Sequence, residues 1–334
     1  MRGRMLRIVA LGILIVATMS GKSSARAIKA ATRGDDPQRA AGKPCDYACL
    51  TDFIDRYLAA LVAHDPSRLP VAAHAKFTEN TMQMKVGDAL WGTISGTGSY
   101  KVYFADPHAG EAGCEVTIRE NGTPAILVVR LKIVDRKITE VETIVRRGAD
   151  PAEALEKFGH PNPVWLEPVP ASDRTSRQDM LKDANLYFEG IVHLDGDIPP
   201  FDDKCNRILD GIQDTNNPSY NEGWANGTYN PAALGCRDNM NTKIWAYIKA
   251  VDPRRFMIVD EKMGIVFGFF MFNHPGTVLE ADVPGIGKIP MPPSAKRPFN
   301  VEVAEFFKIR SGKILQVEGV QLALPYKTPT GWDH

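Results

Sequence analysis

Residues 131–142 read LKIVDRKITEVE, and residues 307–318 read FKIRSGKILQVE. Six of the twelve aligned positions are identical: Lys132/Lys308, Ile133/Ile309, Lys137/Lys313, Ile138/Ile314, Val141/Val317 and Glu142/Glu318. Each stretch reads as a strand, a turn and a second strand. The same hairpin written twice, 176 residues apart, predicts an internal duplication.

A duplication requires other elements to recur in the same order. Leu50, Phe53, Ile54, Tyr57, Leu58, Leu61 and Val62 fall at helical spacing, as do Met180, Leu181, Ala184, Tyr187, Phe188, Ile191 and Val192. An offset of 130 sets Tyr57 on Tyr187, Asp65 on Asp195 and Pro70 on Pro200. The stretch YKVYFADP (100–107) answers to AYIKAVDP (246–253) at an offset of 146. The growing offset assigns two insertions to the second half, at 215–235 and 274–298, both rich in Gly, Pro or Asn and expected as surface loops. Residues 148–175 carry five prolines and read as a linker with one short helical turn.

The chain of 334 residues has room for two such units. Residues 1–27 combine three early arginines, an apolar run over Ile8–Met19 and small residues at Ala25 and Ala27, the pattern of a cleaved export signal. A flexible segment (28–44), a first domain (45–147), the linker (148–175) and a second domain (176–334) follow. Cleavage removes five basic residues and no acids, leaving 35 basic against 40 acidic, a net charge of −5. That balance gives no reason to bind nucleic acid or, once the signal is gone, a membrane. An oxidising compartment allows disulfides, and five cysteines permit 15 two-bridge pairings. Cys205–Cys236, closing a polar loop, and Cys45–Cys49, beside a helix start, are the expected pairs, with Cys114 free. No second close Cys or His pair completes a zinc tetrahedron, and no phosphate-loop or dinucleotide spacing occurs, so neither metal nor cofactor is expected. Asn121 and Asn226 head Asn-Gly-Thr triplets, which matter in a host that glycosylates exported proteins.

The order helix, short strand, turn, then β-rich hairpins predicts an α+β fold. With the closing motifs SGKILQVEGVQ and DRKITEVETIV, it resembles the nuclear-transport-factor-two-like superfamily, also called SnoaL-like or ketosteroid-isomerase-like. At finer grain the chain is similar to a family of exported two-module proteins of unassigned function. The resemblance spans about residues 45–330. It implies two tandem cone-shaped domains, each a curved, mostly antiparallel sheet wrapped around a long amphipathic helix. The superfamily includes isomerases, dehydratases, cyclases, epoxide hydrolases and non-catalytic binders, so the fold does not choose the chemistry.

In a cone, a desolvated carboxylate and a nearby hydroxyl can do acid–base work without a cofactor. Tyr57 and Tyr187 are candidate donors or, equally, core tyrosines. Glu79 and Asp210 are candidate bases, with Asn80 and Arg207 as neighbouring cavity groups. The alternative makes these strand-end turn residues. Trp91 supplies an apolar wall or core packing. Tyr100 and Tyr103, on a stretch read as helix-like, are placed along the same cavity. His274, at a strand end, is a candidate if it points inward. Glu142 and Glu318 are either buried in the concave face or paired with the repeated lysines on the convex one. The implied function is binding of a small apolar organic ligand, with lyase, dehydratase or isomerase chemistry. A non-catalytic carrier and a structural tandem with filled cones are the alternatives. The two units pair within the chain, or the chain forms a homodimer.

Overall fold

The computed structural model describes residues 45–221 and 224–333. The expected export signal and the segment 28–44 lie outside them. Among the described residues, no helix is long and apolar enough to cross a membrane.

The first module runs α1 (Tyr47–Val62), β1 (Val71–Glu79), β2 (Met82–Met84), β3 (Ile94–Asp106), β4 (Glu111–Glu120), β5 (Thr123–Val134) and β6 (Lys137–Arg147). The connection carries α2 (Ala149–Lys157) and α3 (Pro163–Leu166). The second module runs α4 (Arg177–His193), β7 (Phe201–Leu209), β8 (Ile212–Gln213), α5 (Cys236–Asn241), β9 (Ala250–Asp260) and β10 (Ile265–His274). It continues through a hairpin of β11 (Glu280–Val283) and β12 (Gly287–Pro290), then β13 (Phe299–Arg310) and β14 (Lys313–Pro325). The two six-stranded sheets have orders β2-β1-β6-β5-β4-β3 and β8-β7-β14-β13-β10-β9, one topology twice. In each, the first strand pairs parallel to the last, and the other pairings are antiparallel. The fold is α+β, two cone-shaped modules in tandem.

The repetition extends to single hydrogen bonds. Asn80 and Asp210 both take positive φ, and their amides donate to Thr143 O and Gly319 O. Gly110 (φ +67°) and Gly264 (φ +66°) accept from Ile133 N and Ile309 N. A Cβ there would stand 2.7 Å from Ile133 O and 2.3 Å from Ile309 O, so only glycine lets these turns close. Asp106 and Asp260 receive the amides of Ala109 and Met263. These last pairs fix the offset at 154, not 146. Tyr100 and Tyr103 therefore lie on strand β3 rather than a helix.

Each helix buries its apolar stripe inside its own cone. The first core centres on Phe53, Tyr57, Leu61 and Trp91, the second on Tyr187, Phe188, Phe270 and Phe307. A third core lies between the two sheets, where Phe104 stacks on Phe267 at 4.4 Å and Trp165 packs on Phe306 at 4.5 Å. This seam explains why both sheets read as apolar on both faces. The connection belongs to it: Ala152, Leu155 and Trp165 are buried there, so residues 148–175 form a wedge with two helices rather than a spacer with one turn. The insertion at 274–298 is also more than a loop, since β11–β12 close a small core of Ala281, Val283 and Ile289 with Ile244.

Disulfides join Cys45–Cys49 and Cys205–Cys236, and Cys114 is free and buried. The second bridge ties α5, within the inserted chain, to strand β7.

Candidate functional site

The interior of the second cone gathers the polar groups. Arg207, on β7, is held by Asp214, whose Oδ1 and Oδ2 accept from Nε at 2.9 and 3.0 Å. Its guanidinium lies 4.0 Å from the centre of the Trp245 ring. Its amide donates to Thr215 Oγ1 at 2.7 Å, fixing the strand against the chain that follows β8. Tyr187 comes from the buried stripe of α4, and its hydroxyl is placed where both Arg207 and Glu305 act on it electrostatically. Glu305 projects from β13 on the same face as Val303 and Phe307, which belong to the cone core. Its Oε2 is buried without a hydrogen-bond partner. A cavity of about 10 Å3 bounded by Tyr187, Arg207 and Trp245 has the room of one water molecule.

Burial dominates the electrostatics. It pushes the Glu305 carboxyl up to about 8, against the opposing pull of Arg207 and of the Tyr187 hydroxyl. Burial and the nearby Glu305 raise the Tyr187 hydroxyl well above its ordinary range. At neutral pH the site thus holds a protonated carboxyl, a neutral phenol and a cation already matched by Asp214. A carboxyl that titrates near working pH can both give and take a proton.

The first cone lacks this set. At the position of Arg207 it has Phe77, and at the position of Glu305 it has Val129, both buried in its core. Tyr57 remains, meeting Trp91 edge-on at 5.5 Å. Trp91 and Trp245 correspond at the 154 offset, each in a short 3-10 turn whose leading residue, Ala89 or Lys243, has positive φ.

The remaining candidates lie elsewhere. Glu79 accepts from Leu90 N at 3.0 Å and pairs with Arg147 at 2.8 Å. The Asn80 side chain bonds both backbone groups of Val145, at 2.8 and 3.2 Å. Asp210 accepts Gln321 N at 3.0 Å and reaches across to Arg146 of the first module at 2.9 Å. Asn80 and Asp210 hold chain ends together, whereas Glu79 is buried on the face of β1 that carries Phe77 and acts on Tyr57 inside the first cone. Tyr103 donates to Asp55 and accepts from Lys101 at 3.1 Å, beside an open groove along α1. His274 shares a face of β10 with the core residues Phe270 and Phe272 and is stacked between Tyr247 and Phe299, at 5.2 and 4.2 Å. Its Nδ1 has no partner, and burial lowers its pKa to about 4, which keeps it neutral.

Glu142 and Glu318 face neither a cone interior nor the repeated lysines. A register shift after Ile138 and another after Ile314 put those isoleucines on the opposite face, and both glutamates enter the seam. Glu142 meets Arg255 at 2.5 Å and Arg130 at 3.2 Å, and Arg130 also holds Glu111 and Glu140. Lys132 and Lys308 instead donate to backbone carbonyls, Ala109 O in one case and Glu167 O and Met263 O in the other.

Sequence reasoning reached Tyr187 and Arg207 and passed over Glu305, Asp214 and Trp245. A visible signal for Glu305 was an acid inside VEVAEFFKI, a strand apolar on both faces. Among the described residues, no cluster of three or more His, Cys, Asp or Glu is arranged to hold a metal.

A family described as a domain of unknown function, DUF8021, matches residues 173–321, most of the second module. No curated protein matches the chain. Among solved structures, AclR of Streptomyces galilaeus is similar at 14% identity, over 38% of this chain and 92% of that one, with a TM-score of 0.24. A protein of ketosteroid isomerase-like fold from Catenulispora acidiphila DSM 44928, in complex with trimethylamine, is similar at 14% identity. That match spans 33% of this chain and 94% of the other, with a TM-score of 0.23.

Proposed function

We propose that the chain is an exported protein that binds a small, largely apolar organic molecule in its second cone and acts on it by acid–base chemistry. The first cone serves as its scaffold. The observation that carries this reading is the buried chain Arg207–Tyr187–Glu305, present in one copy of a duplicated module and replaced by Phe77, Tyr57 and Val129 in the other. The first cone demonstrates that the architecture packs without such groups. Buried ionisable networks are poor sources of stability, so their presence calls for a different reason. The two disulfides fit an oxidising, extracytoplasmic setting.

In this reading Glu305 exchanges a proton with a carbon of the guest, and the Tyr187 hydroxyl, backed by Arg207, donates to the oxygen where negative charge develops. Return of the proton elsewhere on the guest is isomerisation, and loss of water or another leaving group is lyase chemistry. The 10 Å3 cavity is too small for the guest, so the Trp245 ring must leave Arg207. That contact is worth roughly 0.5–2 kcal/mol, an amount that burying a few methylenes of a guest replaces. Trp245→Ala should open the cone and raise affinity in a thermal-shift screen of small carbonyl and hydroxyl compounds. Glu305→Gln should keep binding and lose turnover, and wild-type activity should rise with pH as the carboxyl ionises around 8. A Glu305→Gln protein that turns over as fast as wild type would defeat the acid–base assignment.

A second reading, a purely structural tandem, draws on how little free space the second cone retains. It predicts that no compound in the screen shifts either wild type or Trp245→Ala.

A further inference from the structure

Away from the second cone, the seam between the modules contains a second buried polar group. Glu318 of β14 is fully buried; its Oε1 receives the Tyr100 hydroxyl at 2.5 Å and its Oε2 the Trp165 indole N–H at 2.6 Å. Gln316 Nε2 lies 3.5 Å from the same Oε2. Glu115 of β4 is 1% exposed, and its Oε2 has no hydrogen-bond partner. The charges that act on Glu115 are those of Glu318 and Asp210, both acids.

The bases nearby are committed elsewhere. Arg146 of β6 is taken by Asp210 at 2.9 Å, and Arg119 of β4 by Glu156 of α2 at 2.7 Å. Lys101 of β3 is turned to Asp55 on α1. Around the pair, β5, β7 and β13 present the uncharged Ile126, Val128, Ile208 and Phe306, and the charged seam residues of β5 and β13, Arg130 and Glu302, are taken by Glu111, Glu140 and Glu142 and by Arg255. The donors Tyr100 and Trp165 are neutral. Two carboxylates enclosed in an apolar seam, with neutral donors and no free cation, cannot both ionise cheaply.

We infer that the seam is a proton-binding site: the Glu115–Glu318 pair retains a proton in the folded protein at neutral pH, and removing it at higher pH loosens one module's grip on the other. The matching position in the first module makes the contrast. Glu142 is the repeat of Glu318 and is met by the cations Arg130 and Arg255. Arg130 falls where the second module has Phe306, which is why Glu318 has no such cation.

Burial raises both carboxyls: Glu318 and Asp210 push Glu115 further up, while the hydrogen bonds from Tyr100, Trp165 and Gln316 hold Glu318 back to about 7. A carboxyl raised on folding favours the folded state fully at low pH. Its contribution is lost as pH climbs from the ordinary carboxylate range through the folded value. While one proton is being released, the folding equilibrium constant falls about tenfold per pH unit. Glu302 and Glu305, both pushed up to about 8, add slopes of their own, so the comparison must be with variants.

The test is urea unfolding of the full chain between pH 5 and pH 9, for wild type, Glu115→Gln and Glu318→Gln, with infrared spectra of the folded proteins at pH 7. Each variant should flatten the fall of the unfolding midpoint with rising pH, and the protonated-carboxyl stretch of wild type should weaken. Glu115→Gln is decisive if Glu318→Gln fails to fold, because the Glu115 Oε2 has no partner to lose. An unchanged pH slope together with an unchanged carboxyl band in Glu115→Gln would overturn the inference.

Discussion

The two cones are the same fold filled in different ways. In the first, Tyr57, Trp91, Phe77 and Val129 form a mainly apolar and aromatic interior whose buried acid, Glu79, is tied to Arg147 and Leu90 N. In the second, Tyr187 and Trp245 keep the positions of Tyr57 and Trp91, while Arg207 and Glu305 replace Phe77 and Val129 and Asp214 is added. The duplication is thus an internal control. What the copies share (long helix, parallel closure of first strand on last, glycine turns, tryptophan plug) is what the cone needs in order to fold. What only the second has is what the fold does not require, and function is to be sought there.

The seam repeats the lesson at the level of charge. At one end Arg130 gathers Glu111, Glu140 and Glu142, and Arg255 joins Glu142 to Glu302. At the other end Glu318 has only neutral donors. The sharpest way to break this contrast is Arg130→Met. It leaves buried carboxylates without their cation and should cost about 3–5 kcal/mol in urea unfolding. Because Glu142 also reaches Arg255 in the second module, both modules should unfold in one transition. Two separated transitions, with the second module unaffected, would show that the seam does not couple them.

A smaller effect separates the paired tyrosines. Tyr187→Phe removes a buried hydroxyl set beside the charged Arg207 and the buried Glu305, and leaving those groups without it should cost about 1–3 kcal/mol. Tyr57→Phe, in the cone without a counterpart of Arg207 and Glu305, should cost less than about 1 kcal/mol. Equal losses in the two variants would mean that the cones are polar to the same degree.

Much of this architecture was legible because the duplication left its clearest trace at a turn. Lys137/Lys313 and Ile138/Ile314 flank tight hairpins where few residues fit, so identity survives there. The helices kept only their apolar period, which was enough to align Tyr57 with Tyr187. The strands between were harder. Tyr100, Val102 and Phe104 face the seam while their neighbours face the cone, so β3 is apolar on both sides and its alternation is blurred. The likeness of ADP at 105–107 to VDP at 251–253 then drew the register eight residues from the true match of Asp106 with Asp260. That slip concealed the correspondence of Trp91 with Trp245. The prolines of 148–175 hid Leu155 and Trp165, whose burial depends on a second sheet that no local pattern reveals. Charge pairing across the seam, such as Arg146 with Asp210, was equally out of reach, since its partners are 64 residues apart.

The most direct measurement is the amount of guest that the second cone holds. Wild type and the Trp245→Ala and Arg207→Met variants would be purified and extracted with organic solvent, and the extracts quantified by mass spectrometry. The unequal cones predict one equivalent of a small organic molecule per chain in Trp245→Ala, lost when Arg207→Met is added. Two equivalents per chain, or the same recovery with and without Arg207, would contradict the assignment of function to the second cone.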